Sequence, residues 1–143
     1  MKRILVCLDH SSLATFVFLH AREFAERTRT KMVFLHVVVP DHGLTLPGVE
    51  TSPEMVERTK QAQLELLVLA DQVPKENFGS AVVGVGEPWR VICRTAQDID
   101  AEYVLLGCHG TVGVIEKLFG TTAERVVRHV DRSVVVLRKT PRL

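Results

Sequence analysis

Gly107, Gly110 and Gly120, followed directly by Thr121 and Thr122, concentrate bare backbone in the stretch GCHGTVGVIEKLFGTT, residues 107 to 122. Residues without a Cβ reach positive φ at no steric cost and let main-chain N–H groups come close to an anion. A helix opening near Thr121 would add its unpaired first-turn amides and the positive end of its dipole. The guest that suits such an arrangement is a di- or triphosphate. A plainer reading fits the same residues: the glycines make turns and Thr121 caps its own helix. The pattern alone leaves both open.

Other constellations carry less. GVGEPW, from Gly84, resembles the opening of a dinucleotide fingerprint, but Trp89 stands where the third glycine belongs, and a plain turn with Pro88 at a helix start explains it better. No GxxxxGK(S/T) loop is present, which removes the usual Mg-ATPase machinery, so any hydrolysis should be slow. Of six histidines only His36 and His42 come near one another, one in an apolar run and one in a loop, with no carboxylate at ligand spacing. Cys108 and His109 are neighbours in the glycine stretch, where a thiol near a helix N-terminus would be reactive, but adjacent side chains usually point apart. Asp9 ends the first apolar run. As a general base it has no partnering Ser, Lys or second carboxylate apparent in the sequence; capping the first helix is its structural alternative and is compatible with a ligand role.

The elements that must position these residues alternate along the chain. Near-continuous apolar runs at 3–8, 31–39, 80–85, 103–106 and 133–137 read as strands covered on both faces. Between them, 12–29 places Phe16, Val17, His20, Ala21, Phe24 and Ala25 at helical spacing. Residues 53–73 open with Ser52 as N-cap and Pro53 in the first helical position, and run Val56, Thr59, Gln63, Leu66, Leu67, Ala70 and Val73 along one side to the stop at Pro74. A third helix starts at Pro88 with Trp89, Ile92, Ala96 and Ile99, and a fourth follows Gly120 with capping-box spacing from Thr121 to Glu124. The order βαβαβαβαβ implies a parallel sheet, doubly wound, in one domain over 1–143. The glycine stretch leaves the carboxyl end of the fourth strand, where such sheets take ligands if the strand order reverses there. The 40–52 segment, PDHGLTLPGVETS, reads as a long surface loop.

Composition excludes several classes. With 46% apolar and 24% charged residues and a formal charge of +1, the chain is neither a disordered nor a transmembrane type, and it has no basic excess to attract nucleic acid. The start MKRILVCLDH holds only five apolar residues in a row, too few for a signal peptide core, so a cytoplasmic location is expected. Cys7, Cys93 and Cys108 form no CxxC pair and suit reduced thiols, Cys7 and Cys93 as inert ones. The last run, SVVVL, would be an apolar sheet edge open to a second copy, with Arg138 and Lys139 capping the edge of a monomer as the alternative.

The run Gly107, two residues, Gly110, nine residues, Gly120, Thr121 resembles the GxxG-x9-G(S/T) signature of the ATP-binding branch of the universal stress protein family. ILVCLDHS, FLHVVVP, GEPWRVICRTAQDIDAEYVLLGCHG and GTTAERVVRHVDRSVVVLR are similar, in order, to that family's segments over nearly the whole chain. The resemblance implies a five-stranded parallel α/β sheet of order 3-2-1-4-5, adenine nucleotide alpha hydrolase-like, with ATP between strands one and four. It implies Asp9 at the adenosine end and the Val37 backbone on adenine. Leu106 and Gly107 would bracket ribose and phosphates, with Gly110, Gly120, Thr121 and the Thr122 amide on phosphate oxygens. Mg or Mn, if present, would be held mainly by the phosphates. It further implies a homodimer through the last strand and a nucleotide-dependent stress-response switch acting on a downstream protein. The alternatives are a slow ATP-hydrolysing or adenylyl-transferring enzyme, or a nucleotide-free dimeric interaction protein. Cys108 and Thr111 stand where the family often has Ser and a basic residue, and DHS replaces its common DGS; a missing cation would weaken binding by about 1 kcal/mol or a little more.

Overall fold

The structure, a computed structural model, describes residues 1–9, 11–40, 52–109 and 121–139. Gly110, Gly120, His42 and most of the 40–52 and 108–119 segments lie outside the described residues. Five strands form one parallel sheet: β1 (Arg3–Cys7), β2 (Lys31–Val38), β3 (Phe78–Val85), β4 (Tyr103–His109) and β5 (Ser133–Lys139), in the order β3-β2-β1-β4-β5. Helices α1 (Leu13–Thr28), α2 (Pro53–Ala70), α3 (Pro88–Asp98) and α4 (Thr121–His129) make the crossovers. The expected architecture and strand order are those found.

Strand alternation explains why the apolar runs are continuous. Ile4, Val6, Met32, Phe34 and Leu105 pack with Val17, Phe18, Ala21 and Ala25 of α1 and Leu66 of α2 on one face. Leu5, Val33, Leu35, Val104 and Leu106 pack with Ile92 and Ala96 of α3 and Ala123 and Val126 of α4 on the other. In the central strands residues of both parities therefore enter a core, one on each face, which is why their apolar runs are unbroken.

Two helix faces differ from the sequence expectation. In α1 the buried set is Leu13, Val17, Phe18, Ala21 and Ala25; His20 is exposed and gives its ring Nδ1 to the Phe16 carbonyl at 2.9 Å. In α2, Met55, Ala62 and Leu66 are buried, whereas Val56 and Leu67 are exposed. Ser52 caps α2 as expected, accepting from the Met55 N–H at 3.2 Å, but the helix ends at Ala70, before Pro74. Ser12 stands in the N-cap position of α1 without a cap hydrogen bond; the Leu13 N–H goes to Ser11 Oγ at 3.2 Å instead.

Candidate functional site

The site begins with a difference in strand length. The β1–β2 register ends at Cys7 opposite Leu35, while β2 runs on to Val38. On the other side β1 meets β4 only from Ile4–Tyr103 to Val6–Leu105, and β4 continues to His109. A slot is left beyond the end of β1, walled by two longer neighbours, at the point where the connections reverse direction across the sheet.

Which backbone groups face the slot follows from parallel pairing. The Leu35 carbonyl accepts from the Leu8 N–H at 2.9 Å, so odd-numbered residues of β2 direct their main-chain groups toward β1. Val37 has the same parity but lies past the end of β1. Its N–H and C=O are thus aimed into the slot as an adjacent donor and acceptor.

A cavity of about 240 Å³ occupies this place, lined among others by Asp9, Val37, Val39, Leu106, Gly107 and Thr122. Five of the residues singled out in the sequence, from four separate segments, therefore share one cavity. Thr121 is not among its lining; it is exposed, the first residue of α4. Glu124 pairs with Arg128 at 2.7 Å, a bond the capping-box reading did not include. Among the described lining residues Asp9 is the only charged one, so favourable potential for an anion comes from the amino end of α4 beside Thr122.

Asp9 is organised by Ser11 of the DHS run, a partnering Ser that was not apparent from the sequence. Its Oδ1 accepts the Ser11 N–H at 2.9 Å and the Ser11 hydroxyl at 2.5 Å. Ser11 Oγ in turn accepts from the Leu13 N–H, so among the described residues Asp9 reaches α1 through Ser11. An Asp followed two residues later by Ser is the sequence signal for this turn. Oδ2 of Asp9 has no hydrogen-bond partner among the described residues.

Gly107 is in β4, not in a loop, and the positive φ expected of it is absent; among the described glycines only Gly86 has one, at 149°. A Cβ on Gly107 would stand 2.4 Å from Val17 Cγ2. The bare backbone there is required by the approach of α1. Gly86 makes the turn into Pro88, which starts α3, so GVGEPW is the plain turn the sequence suggested.

Two of the three thiols, Cys7 and Cys93, are quiet. Burial pushes Cys7, which lines the cavity, well above the ordinary thiol range, with a smaller contribution from Cys93. Cys93 is raised by burial and then by Asp131, and Cys108 is buried within β4. Neutral thiols are poor nucleophiles.

A doubly wound parallel sheet with an open slot at its switch point defines a class of α/β protein that takes ligands beyond the strand ends. The model of the universal stress protein family matches residues 1–138, and the chain belongs to that family. It is 30% identical to universal stress protein Sll1388 of Synechocystis sp. over 95% of this chain and 97% of that one. Among solved structures, that of MJ0577 from Methanocaldococcus jannaschii is similar with a TM-score of 0.77 at 22% identity, covering 99% of this chain and 98% of the other. The universal stress protein of Archaeoglobus fulgidus in complex with dAMP has a TM-score of 0.67 at 23% identity, covering 95% and 97%. At those identities the structural likeness shows the fold.

Proposed function

We propose that this chain binds an adenine nucleotide, ATP, in the slot beyond β1 and serves as a cytoplasmic, nucleotide-dependent stress-response module. The observation that carries the reading is the aim of the Val37 main chain into a cavity that the first turn of α4 also lines. Adenine presents a donor and an acceptor side by side on one edge, the complement of Val37 N–H and C=O. Asp9 Oδ2 would accept from the adenosine end, Leu106 and Gly107 would flank the ribose, and the Thr122 amide would meet phosphate oxygens. Gly110, Gly120 and Thr121 keep the phosphate roles implied by the resemblance. The dAMP complex of the Archaeoglobus relative supports an adenine nucleotide as the guest.

Mg or Mn would be held mainly by the phosphates, since Asp9 is the one carboxylate among the described lining residues and the resemblance places it at the adenosine end. On this reading the nucleotide is held rather than turned over. Release of phosphate or pyrophosphate within seconds would establish an enzyme instead.

The test is mass spectrometry of ligand retained by the purified protein, followed by calorimetry with ATP and AMP. Val39, 43% exposed at the mouth of the slot, gives a blocking variant. Val39→Trp is expected to weaken ATP binding by at least about tenfold, equivalent to about 1.4 kcal/mol, with the melting temperature unchanged. Unaltered affinity in Val39→Trp would place the nucleotide elsewhere. The switch would act through the 40–52 and 108–119 segments; equal protease cleavage with and without ATP would remove it. β5 is a sheet edge with half-buried Val134, Val135, Val136 and Leu137, the surface proposed for the homodimer, and sedimentation of a monomer at micromolar concentration would exclude that assembly.

A further inference from the structure

Two helices that share no backbone hydrogen bonds bound the slot on its α3/α4 face. Pro88 and Ile92 of α3 line it from one side, and Thr122 and Ala123 of α4 from another. The spacing of α3 and α4 therefore contributes to the width of the slot on this face. Besides the shared apolar packing of Ile92 and Ala96 with Ala123 and Val126, two side-chain contacts behind those lining residues tie the helices. Glu87 Oε1 accepts from the Arg125 guanidinium at 3.0 Å, and the Trp89 ring lies 4.4 Å from the His129 imidazole.

Glu87 is unusual for its position. It stands at the N-cap of α3 but makes no cap hydrogen bond. Its carboxylate instead takes the Trp89 indole N–H at 2.8 Å, Arg90 Nε at 2.9 Å and Arg125. The Arg90 guanidinium in turn lies 4.7 Å over the Trp89 ring. The indole hydrogen bond above all, with Arg90 and then Arg125, holds the Glu87 carboxyl below the ordinary carboxylate range, and burial, second in size to the indole bond, opposes them. The hub adjoins Pro88 in the chain, and Arg125 follows Thr122 by three residues, about one helical turn. The Glu87–Arg125 contact therefore joins positions next to, and one turn from, residues that line the slot.

We propose that Glu87 and Arg125 form a positioning clamp that fixes the separation of Pro88 from the first turn of α4, and so sets nucleotide affinity and release without touching the nucleotide. This rests on the nucleotide reading of the slot. An isolated surface ion pair contributes little to folding. Here the partners are the two walls of a cavity, so loosening them lowers the population of the width that grips the ligand.

The test is ATP calorimetry with magnesium on the wild-type chain, Arg125→Met, Arg125→Lys, Glu87→Gln and the double variant Glu87→Gln/Arg125→Met. Arg125 is half exposed, and Glu87→Gln keeps an oxygen for the indole, so both variants should fold. Trp89 is the single tryptophan of the chain, and its emission reports this junction directly. Arg125→Met is expected to bind ATP about three- to fivefold more weakly, the range an exposed ion pair supports, with faster release. Arg125→Lys should recover most of the loss, and the double variant should be no weaker than Arg125→Met. A wild-type chain that binds ATP beside an Arg125→Met variant of equal affinity would overturn the clamp. So would a double variant whose loss is the product of the two single losses. A wild-type chain that binds no adenine nucleotide is a different result, which removes the nucleotide reading and the clamp with it.

Discussion

Gly107→Ala is expected to lower stability by about 2 kcal/mol and to weaken ATP binding by at least about tenfold, equivalent to about 1.4 kcal/mol. The added Cβ would meet Val17 Cγ2 at 2.4 Å, well inside van der Waals contact. Val17 is 2% exposed on the buried side of α1, so it has no solvent into which to turn. Val17 and Leu13 also line the slot, so α1 can relieve the clash only by moving the slot's own wall. The compensating variant separates two roles for the glycine. If Gly107 serves helix approach, Gly107→Ala/Val17→Ala should regain both stability and ATP affinity, since the second change removes the colliding methyls. If close approach of an anion is what the glycine provides, stability will return and binding will not. Denaturant unfolding and calorimetry on the same two proteins decide between them.

That result bears on what the sequence could reveal. The strands were legible because a sheet covered on both faces demands apolar residues at both parities, and Arg3–Cys7, Lys31–Val38 and Tyr103–His109 supply them. The helix faces were less so. Phe16 and Phe18 lie on either side of Val17, and periodicity alone does not say which aromatic enters the core; the structure buries Phe18. The end of α1 carried no glycine to mark it, since Arg29 takes the left-handed conformation at φ 54°. Asp9, Val37, Leu106, Gly107 and Thr122 were named from the sequence, and the fold brings them to one cavity. What makes the cavity was not legible. The slot exists because β1 stops at Cys7 while its neighbours continue, a relation among three strands that no single segment encodes. The Glu87 hub was hidden for a similar reason, because Arg125 is 38 residues away in the chain.

Asn77→Asp is expected to cost on the order of 3 kcal/mol at neutral pH while leaving the ATP affinity of the folded protein unchanged. Asn77 is 4% exposed, and its Nδ2 donates to the Ala25 carbonyl at 3.2 Å and the Thr30 carbonyl at 2.9 Å. It thereby fastens the entry of β3 to the corner between α1 and β2, at the amino end of the sheet and away from the slot. A carboxylate there would face two carbonyl oxygens with no donor to offer, in a site closed to water. Burial and those oxygens both disfavour its charged form, so its folded-state pKa would rise above the unfolded value of about 3.9. Between those two values the folded chain binds more protons than the unfolded one, and stability falls as pH rises. The deficit relative to wild type should therefore shrink on acidification from pH 7 toward pH 5, as the protonated carboxyl regains one O–H donor for the Thr30 carbonyl. A deficit that stays constant across that interval would mean that the substituted side chain turns out to solvent, and that the amide bonds contribute little to closing this corner.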